Sequence, residues 1–258
     1  MTKSRDKRVF FRIGLFLIGY FISGGLFAET FKVGVYDSPP LVFSKKSTLL
    51  GIYKEIFSEI SKITSDTFEF DYGTATQIVN RFNKGKIDIE PGINPLWRHA
   101  EEVPGLYSIP FSKSSSIVVS LKPTPSKSKK EKQPSIKAKA LKTGLIKGYE
   151  YSNLATHFKD NAWEPVLAES ETQLLNLLNN KKIDQAVIDA SVMDFFLRSQ
   201  NNKNTDKYVL SKPLDTQSIM MRVHPDKASA IPRFNDAIKK LIDDGTIKKI
   251  YNRYGLTE

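Results

Sequence analysis

Hydrophobic and polar residues alternate along the first part of the chain in two periods, one typical of strands and one typical of helices. Residues 31–36 alternate at period two and end at a polar loop with two prolines, residues 37–40. Residues 52–64 carry isoleucines at helical spacing, and a strand over 68–72 and a helix over 74–83 follow. This βαβα order predicts an α/β fold with a mostly parallel sheet, whose ligand loops lie at the carboxyl ends of the strands.

The same alternation begins again after residue 140. Ser170 and Gln173 form a capping pair that predicts a helix start, and residues 184–189 are an apolar strand that ends in an acid. The other elements predicted here are a strand over 140–148, helices over 149–158 and 192–196, strands over 208–210 and 218–223, and helices over 231–241 and 247–254. Two α/β halves of similar size predict two lobes with a cleft between them.

The stretch from residue 85 to residue 110 is the first candidate for ligand contact. A short apolar strand is predicted to break at Pro91, and a helix-like turn to open near Asn94, just before Arg98. Free backbone N–H groups converge at a helix start, so we take Arg98 as a candidate anion contact. The alternative is a surface arginine paired with Glu101 or Glu102, and the sequence alone gives the two interpretations equal weight.

The first 28 residues have the layout of a secretory signal peptide, with a basic segment, an apolar run over 13–22 and small residues before Ala28. We expect cleavage after Ala28 and a periplasmic protein. An uncleaved membrane anchor is the alternative, but the apolar run is shorter than the roughly 20 residues that span a bilayer. The chain has no cysteine, which excludes disulfides and a lipid-modified cysteine, so we expect a soluble protein.

The net charge of +11 is concentrated in two segments. The signal segment contributes +4 and residues 121–140 contribute +6, which leaves +1 for the rest of the chain. We therefore expect no nucleic-acid partner. The lysine-rich segment, residues 122–139, has too few apolar residues to pack, and we interpret it as a solvated loop. A docking patch for an anionic partner or a membrane surface is the alternative.

Five segments, in order along the chain, are similar to motifs of one family. They are residues 36–43 (YDSPPLVF), 51–55 (GIYKE), 107–111 (YSIPF), 182–189 (KIDQAVID) and 244–251 (DGTIKKIY), and Arg98 stands at the arginine of a further motif. On these motifs the chain resembles the type II periplasmic solute-binding proteins of family 3, whose best-known members bind polar amino acids for ABC transporters. The resemblance covers residues 31–258.

The resemblance implies a two-lobed α/β fold with two mixed sheets flanked by helices and a hinge of two crossings. Lobe 1 would comprise residues 31–116 and 217–258, and lobe 2 residues 120–213, with crossings near 116–119 and 214–217. In this family pattern Arg98 would bind the carboxylate of an amino acid and Asp189 its ammonium group. Two features depart from the pattern. Arg98 follows Asp88 by only ten residues, and Pro95 replaces a threonine whose hydroxyl would contact the carboxylate.

Further candidate ligand contacts are Tyr36, Tyr53 and Trp97, as an aromatic wall shared with Phe43, together with Asn94 at the turn, Ser115, and Gly148 with Tyr149 before a predicted helix start. Each has a structural alternative: aromatic residues near strand ends often belong to the core, serine runs are often exposed, and Gly148 can form an ordinary tight turn.

The sequence gives little support for an enzyme. It has no cysteine and no G-x-S-x-G elbow, and its three histidines are isolated, so we expect neither a catalytic nucleophile nor a metal or cofactor site. The enzymatic alternative is a dehydratase-like protein on the same fold, with Glu55, Glu90 or Asp189 as a general acid. A second alternative is a ligand sensor for a membrane receptor. The partners expected are a small-molecule ligand and an inner-membrane ABC permease, with the protein itself a monomer.

Overall fold

Ten strands and seven α-helices form the part of the chain that the computed structural model describes, residues 28–123, 140–151, 154–199 and 205–256. The strands are β1 (Thr30–Val35), β2 (Thr67–Tyr72), β3 (Ile89–Ile93), β4 (Leu106–Tyr107), β5 (Ser112–Leu121), β6 (Leu141–Ile146), β7 (Trp163–Ala168), β8 (Gln185–Asp189), β9 (Tyr208–Leu210) and β10 (Asp215–Val223). The helices are α1 (Ile52–Thr64), α2 (Ala75–Asn83), α3 (Ala155–Lys159), α4 (Glu171–Asn179), α5 (Ala190–Ser199), α6 (Ile231–Asp243) and α7 (Thr246–Arg253). The predicted signal peptide, apart from Ala28, and most of the lysine-rich segment, residues 124–139, lie outside the described residues.

The strands pair in the order β2-β1-β3-β10-β5-β8-β6-β7, with β4 beside β10 and β9 beside β5. Parallel pairs join β1 to β2 and β3, and β6 to β7 and β8. Strands β5 and β10 run antiparallel to each other and to their other neighbours. The sheet is therefore mixed, and the prediction of a mostly parallel sheet is wrong. Parallel pairing occurs only towards the two ends, because the central strands β5 and β10 are antiparallel to their neighbours.

Two large hydrophobic cores lie along the two ends of this sheet, and a third, smaller cluster contains Leu145, Leu154 and Val187. In the first, α1, α6 and α7 pack on β1 and β10, and α1 contributes the fully buried Ile52, Ile56 and Ile60. Burial of each isoleucine stabilises the fold by about 1.5–3 kcal/mol. In the second, α4 and α5 pack on β5 and β8. Strands β5 and β10 contribute to both regions of the sheet, because β10 pairs with β3 near Val223 and with β5 near Asp215.

Most elements predicted from periodicity are confirmed, and the helix over 52–64 has the predicted bounds. The predicted break at Pro91 is wrong, because β3 continues through it to Ile93. A shift in the register of β10 between Met220 and Arg222 accommodates the Pro91-Gly92 pair opposite.

Two differences occur in the second half of the chain. Residues 149–151 are not helical, and α3 begins only at Ala155. Strand β7 was not predicted, because its residues are largely exposed and show no clear period. It forms by parallel pairing with β6 at the edge of the sheet, a tertiary effect that local sequence does not record.

Candidate functional site

A cavity lies between the two cores, and its wall is built from both. The residues that line it come from the end of β1 and the loop after it, from β3, and from the ends of β6 and β8. Further lining residues come from the first turns of α1 and α4 and from β5 and β10. Carboxyl ends of parallel strands meet at one edge of a sheet, which explains why segments distant in sequence converge here.

Arg98 lines this cavity and is 3% exposed. Its Nε and Nη2 donate hydrogen bonds to Glu90 at 3.3 and 2.8 Å, and its Nη1 donates to the Trp97 carbonyl at 3.1 Å. The alternative of a surface arginine paired with Glu101 or Glu102 is therefore wrong. The helix-like turn predicted to open near Asn94 is confirmed as a short 3₁₀ turn, Pro95–Trp97, and Arg98 lies at the end of this turn.

Glu90 is fully buried between two arginines. Its Oε2 also accepts a 2.8 Å hydrogen bond from Nη1 of Arg222, which is itself 0% exposed. Burial alone would raise the pKa of Glu90, but the two guanidinium groups outweigh it and hold the pKa below its ordinary value. The same contact raises the pKa of Arg98 against the opposing effect of burial. The cluster of Arg98, Glu90 and Arg222 thus carries one net positive charge.

Asp189 ends β8 on the other wall of the cavity. Its carboxylate accepts hydrogen bonds from Ser114 Oγ at 2.5 Å and from the backbone N–H of Ser191 at 2.7 Å and of Val192 at 3.3 Å. Burial raises the pKa of Asp189 even though these donors oppose the shift. All of these donors are neutral.

Glu171 is a second acid on the same wall, at the first position of α4, and it is 4% exposed. Tyr149 donates its hydroxyl to Glu171 Oε1 at 2.7 Å. Burial raises the pKa of Glu171, and the charge of Asp189 raises it further, while hydrogen bonds from Tyr149 and Ser38 lower it. Ser170 and Gln173 form the predicted capping pair of this helix, but Glu171, which lies between them, was not among the predicted site residues.

Four of the five aromatic side chains predicted as ligand contacts line the cavity, and the fifth, Phe43, lies outside its lining. Tyr36, Tyr53, Trp97 and Tyr149 are among its lining residues, and the rings of Tyr36 and Tyr149 lie 5.7 Å apart across it. Tyr151, which was not predicted, joins them through a ring contact with Tyr149 at 6.4 Å. The cavity therefore combines an apolar aromatic surface with a few charged groups, as small-molecule sites do.

Three predicted site residues lie outside the cavity lining. Asn94 caps the 3₁₀ turn through Leu96 N–H and donates to the Ser218 carbonyl at 2.9 Å. Ser115 lies between two serines of β5 that line the cavity. Because successive strand residues face opposite sides, Ser115 faces away from the cavity, and its Oγ is 2.8 Å from Thr216 Oγ1. Gly148 has φ +86° and approaches Thr76 closely.

The three acids considered for the dehydratase alternative differ in their partners and in their position relative to the cavity. Glu55 pairs with Arg253 and accepts a hydrogen bond from Tyr254 at 2.5 Å, outside the cavity. Glu90 is held by the two arginines, so of the three only Asp189 lines the cavity.

Within the described ranges no cluster of three or more His, Asp or Glu side chains has the arrangement of a metal site. Nor is any helix in those ranges long and apolar enough to cross a membrane.

Gly92 determines where Tyr53 can lie in the cavity wall. Its φ is +77°, and a Cβ there would lie 2.5 Å from the ring of Tyr53. We expect Gly92→Ala to lower the free energy of unfolding by about 1–3 kcal/mol more than Gly245→Ala, because the tyrosine must move. Gly245 is a matched control, with φ +73° and no neighbour within 4 Å of its Cβ position. Urea unfolding of both variants measures the difference. Equal losses would show that Tyr53 is not confined by Gly92.

Solved structures with the same fold include three from bacteria. An arginine 3rd transport system periplasmic binding protein from Legionella pneumophila is 18% identical, with 88% of this chain and 100% of that chain covered and a TM-score of 0.70. A substrate-binding protein of an ABC uptake transporter from Streptococcus pneumoniae, with bound histidine, is 18% identical over 87% and 92%, with a TM-score of 0.68. A glutamate-bound ligand-binding core from Nostoc punctiforme is 16% identical over 87% and 98%, with a TM-score of 0.67. No curated protein sequence matches the chain.

These likenesses show the fold, the two-lobed α/β architecture of periplasmic binding proteins, which agrees with the cavity between two cores. The predicted fold class is confirmed. The sequence itself matches the family model of bacterial extracellular solute-binding proteins, family 3, over residues 31–257. The chain therefore belongs to the bacterial extracellular solute-binding proteins of family 3.

Proposed function

We propose that this protein captures an amino acid, or a similar small carboxylate, in the cavity between its lobes and delivers it to an ABC transporter. One observation carries the proposal: Arg98 and Asp189, two groups of opposite charge, line the same cavity from different cores. An amino acid presents a carboxylate and an ammonium group, and it would satisfy both at once. Membership of a solute-binding family supports a binding role rather than a catalytic one.

In this proposal Arg98 binds the ligand carboxylate. A guanidinium has five N–H donors, and the hydrogen bonds to Glu90 and Trp97 use three of them. The contact with Glu90 fixes the plane of the guanidinium, so that little conformational entropy is lost when a carboxylate binds. Since the arginine cluster carries one net positive charge, a single carboxylate neutralises it.

Asp189 binds the ligand ammonium group. A cation beside Asp189 would offset the effect of burial, which disfavours its charged form. Tyr36, Tyr53, Trp97 and Tyr149 would pack against the apolar part of the ligand. Ser114 orients the Asp189 carboxylate through its 2.5 Å hydrogen bond.

We assign residues 31–116 and 217–258 to one lobe and residues 120–213 to the other, with the crossings in β5 and β10. Two contacts, among others, join these two lobes. The rings of Phe43 and Phe195 lie 5.8 Å apart, and the side chain of Ser38 hydrogen-bonds Glu171. These contacts support a closed arrangement in which a ligand is enclosed from both sides, as hinge-bending proteins achieve.

The location and the partner follow from the family and from the N-terminal sequence. Extracellular solute-binding proteins act outside the cytoplasm, and the first 28 residues have the layout of a signal peptide. Two of the similar structures are binding proteins of transport systems, one for arginine and one of an ABC uptake transporter. Delivery to an inner-membrane ABC permease from the periplasm agrees with each of these observations.

A thermal-shift screen against the amino acids, small organic acids and polyamines tests the proposed function. A ligand at one hundred times its dissociation constant should stabilise the protein by about 2.7 kcal/mol. For a chain of this size that raises the melting temperature by roughly 5–10 °C. We expect an amino acid to give the largest shift. Stabilisation by another class of compound, with no shift from any amino acid, would contradict the proposal.

A further inference from the structure

The charged groups that line the cavity are mostly acidic. Among the described lining residues Arg98 is the single base, whereas the acids are Glu150, Glu171, Asp189 and Asp215. Glu150 is exposed, and Asp215 accepts a hydrogen bond from the Ser116 N–H. Glu171 and Asp189 are the acids whose charged forms burial disfavours most clearly, since burial is the leading cause of the raised pKa of both.

Glu171 is held in place but its charge is not neutralised by the protein. Its hydrogen-bond donors are the hydroxyl groups of Tyr149 and Ser38 and its own backbone N–H, and all three are neutral. Within the described part of the chain, no lysine, arginine or histidine forms an ion pair with Glu171 or Asp189. By contrast, the buried Glu90 has two arginines as partners. Buried carboxylates are normally paired, so an acid that lacks a cation in a cavity wall indicates a cation supplied by the ligand.

A zwitterion with one ammonium group can form an ion pair with only one of the two acids, Glu171 and Asp189. Its carboxylate neutralises the net charge of the arginine cluster, and its ammonium group pairs with Asp189. Glu171 then still faces the cavity as a buried carboxylate that has no cation. The position of Glu171 at the first residue of α4 favours its charged form, because the positive end of a helix dipole stabilises an anion.

We propose that Glu171 binds a second cationic group, on the side chain of the ligand. The cavity would therefore select a ligand with one carboxylate and two cationic groups, the charge pattern of a basic amino acid. This inference rests on the proposed function and identifies the class of ligand within it. Tyr149 and Ser38 orient the Glu171 carboxylate, and Tyr149 and Tyr151 provide aromatic surface beside it for a cation and its carbon chain.

Calorimetric titration with two pairs of amino acids tests this inference. L-Arginine and L-citrulline have nearly the same shape and differ in the charge of the side chain. L-Lysine and L-norleucine differ in charge in the same way, although their shapes match less closely. We expect the wild-type protein to bind at least one of the cationic amino acids about 10 to 100 times more tightly than its neutral counterpart. In Glu171→Gln this ratio should fall to within about threefold, through loss of affinity for the cation alone.

Glu169→Gln is the matched control, because Glu169 is two residues away, 49% exposed and paired with Lys147 outside the cavity. It should keep the wild-type ratio. If the wild-type protein binds neutral amino acids as tightly as cationic ones, or if Glu171→Gln leaves the ratio unchanged, the inference is overturned while the proposed function stands. If no amino acid binds at all, the proposed function itself fails. A wild-type ratio near one overturns the inference even if Glu171→Gln does not fold.

Discussion

Replacing Glu90 by glutamine is expected to lower the free energy of unfolding by about 3–5 kcal/mol. Glu90 is the shared partner of two buried arginines, Arg98 and Arg222, at 2.8 Å from each. A glutamine keeps the volume but removes the only carboxylate that these two guanidinium groups share. Two positive charges would then remain in the protein interior without an anion between them, which is the costly way to break a buried ion pair.

Urea unfolding measures this loss. Glu102→Gln is the control, because Glu102 is exposed in the loop that follows Arg98. The control should change stability by no more than about 0.5 kcal/mol. A Glu90→Gln variant as stable as the control would show that the arginines do not depend on this carboxylate.

The contribution of Glu90 should also depend on pH in a defined direction. Its pKa in the folded protein is held below the ordinary value of 4.5, which applies to the unfolded chain. Its stabilising contribution is therefore fully present above about pH 4.5 and is lost as the pH falls through the lower, folded-state pKa. The difference in stability between the wild-type protein and Glu90→Gln should be constant near neutral pH and should shrink in acid.

Local periodicity predicted the elements with strong amphipathic patterns, and α1 and α6 are the clearest examples. It failed where tertiary pairing decides the conformation. Strand β7 forms because β6 lies beside it, and β3 passes through a proline and a glycine because β10 shifts its register opposite. These are interactions between residues far apart in sequence, which a window of ten or fifteen residues does not contain.

The site residues, like the secondary-structure elements, were predicted only in part. Arg98 was predicted as an anion contact beside a helix-like turn, and Asp189 was predicted at a strand end as the ammonium contact that the family resemblance implies. Both line the cavity. All three serines of the run 114–116 were possible donors and Ser115 was selected, whereas Ser114 and Ser116 line the cavity. The phase of β5 cannot be read from a run of identical residues. The partner of Arg98 was sought after it in the chain, at Glu101 or Glu102, whereas the partner is Glu90, eight residues before it in β3. The second arginine of the cluster, Arg222, lies 132 residues from Glu90 and could not be found from local sequence.

Loss of the Arg98 side chain is expected to have the second large effect, on binding. Arg98 is the single basic residue among the described residues of the cavity wall, so a buried ligand carboxylate has no other cationic partner there. We expect Arg98→Ala to weaken ligand binding by about 2–5 kcal/mol, which corresponds to a factor of roughly 30 to several thousand. Arg98→Lys should not restore it fully, because an ammonium group cannot contact Glu90 and the ligand with the planar geometry of a guanidinium.

The variant leaves Glu90 paired with Arg222, so Arg98→Ala retains one buried ion pair of the cluster. Its folding can be checked by urea unfolding before binding is measured. Arg81→Ala is a suitable control, since Arg81 pairs with Asp71 at 2.9 Å on the outside of the same lobe and does not line the cavity. This control should bind ligand with wild-type affinity.

The most direct test of the cavity as an amino-acid site is calorimetric titration of the wild-type, Arg98→Ala and Arg81→Ala proteins with the amino acid that gives the largest thermal shift. We predict binding of one ligand per chain in the wild-type and Arg81→Ala proteins, and an affinity at least about 30 times lower in Arg98→Ala. Folded Arg98→Ala protein that binds the amino acid as tightly as the wild-type protein would contradict the assignment of the ligand carboxylate to Arg98.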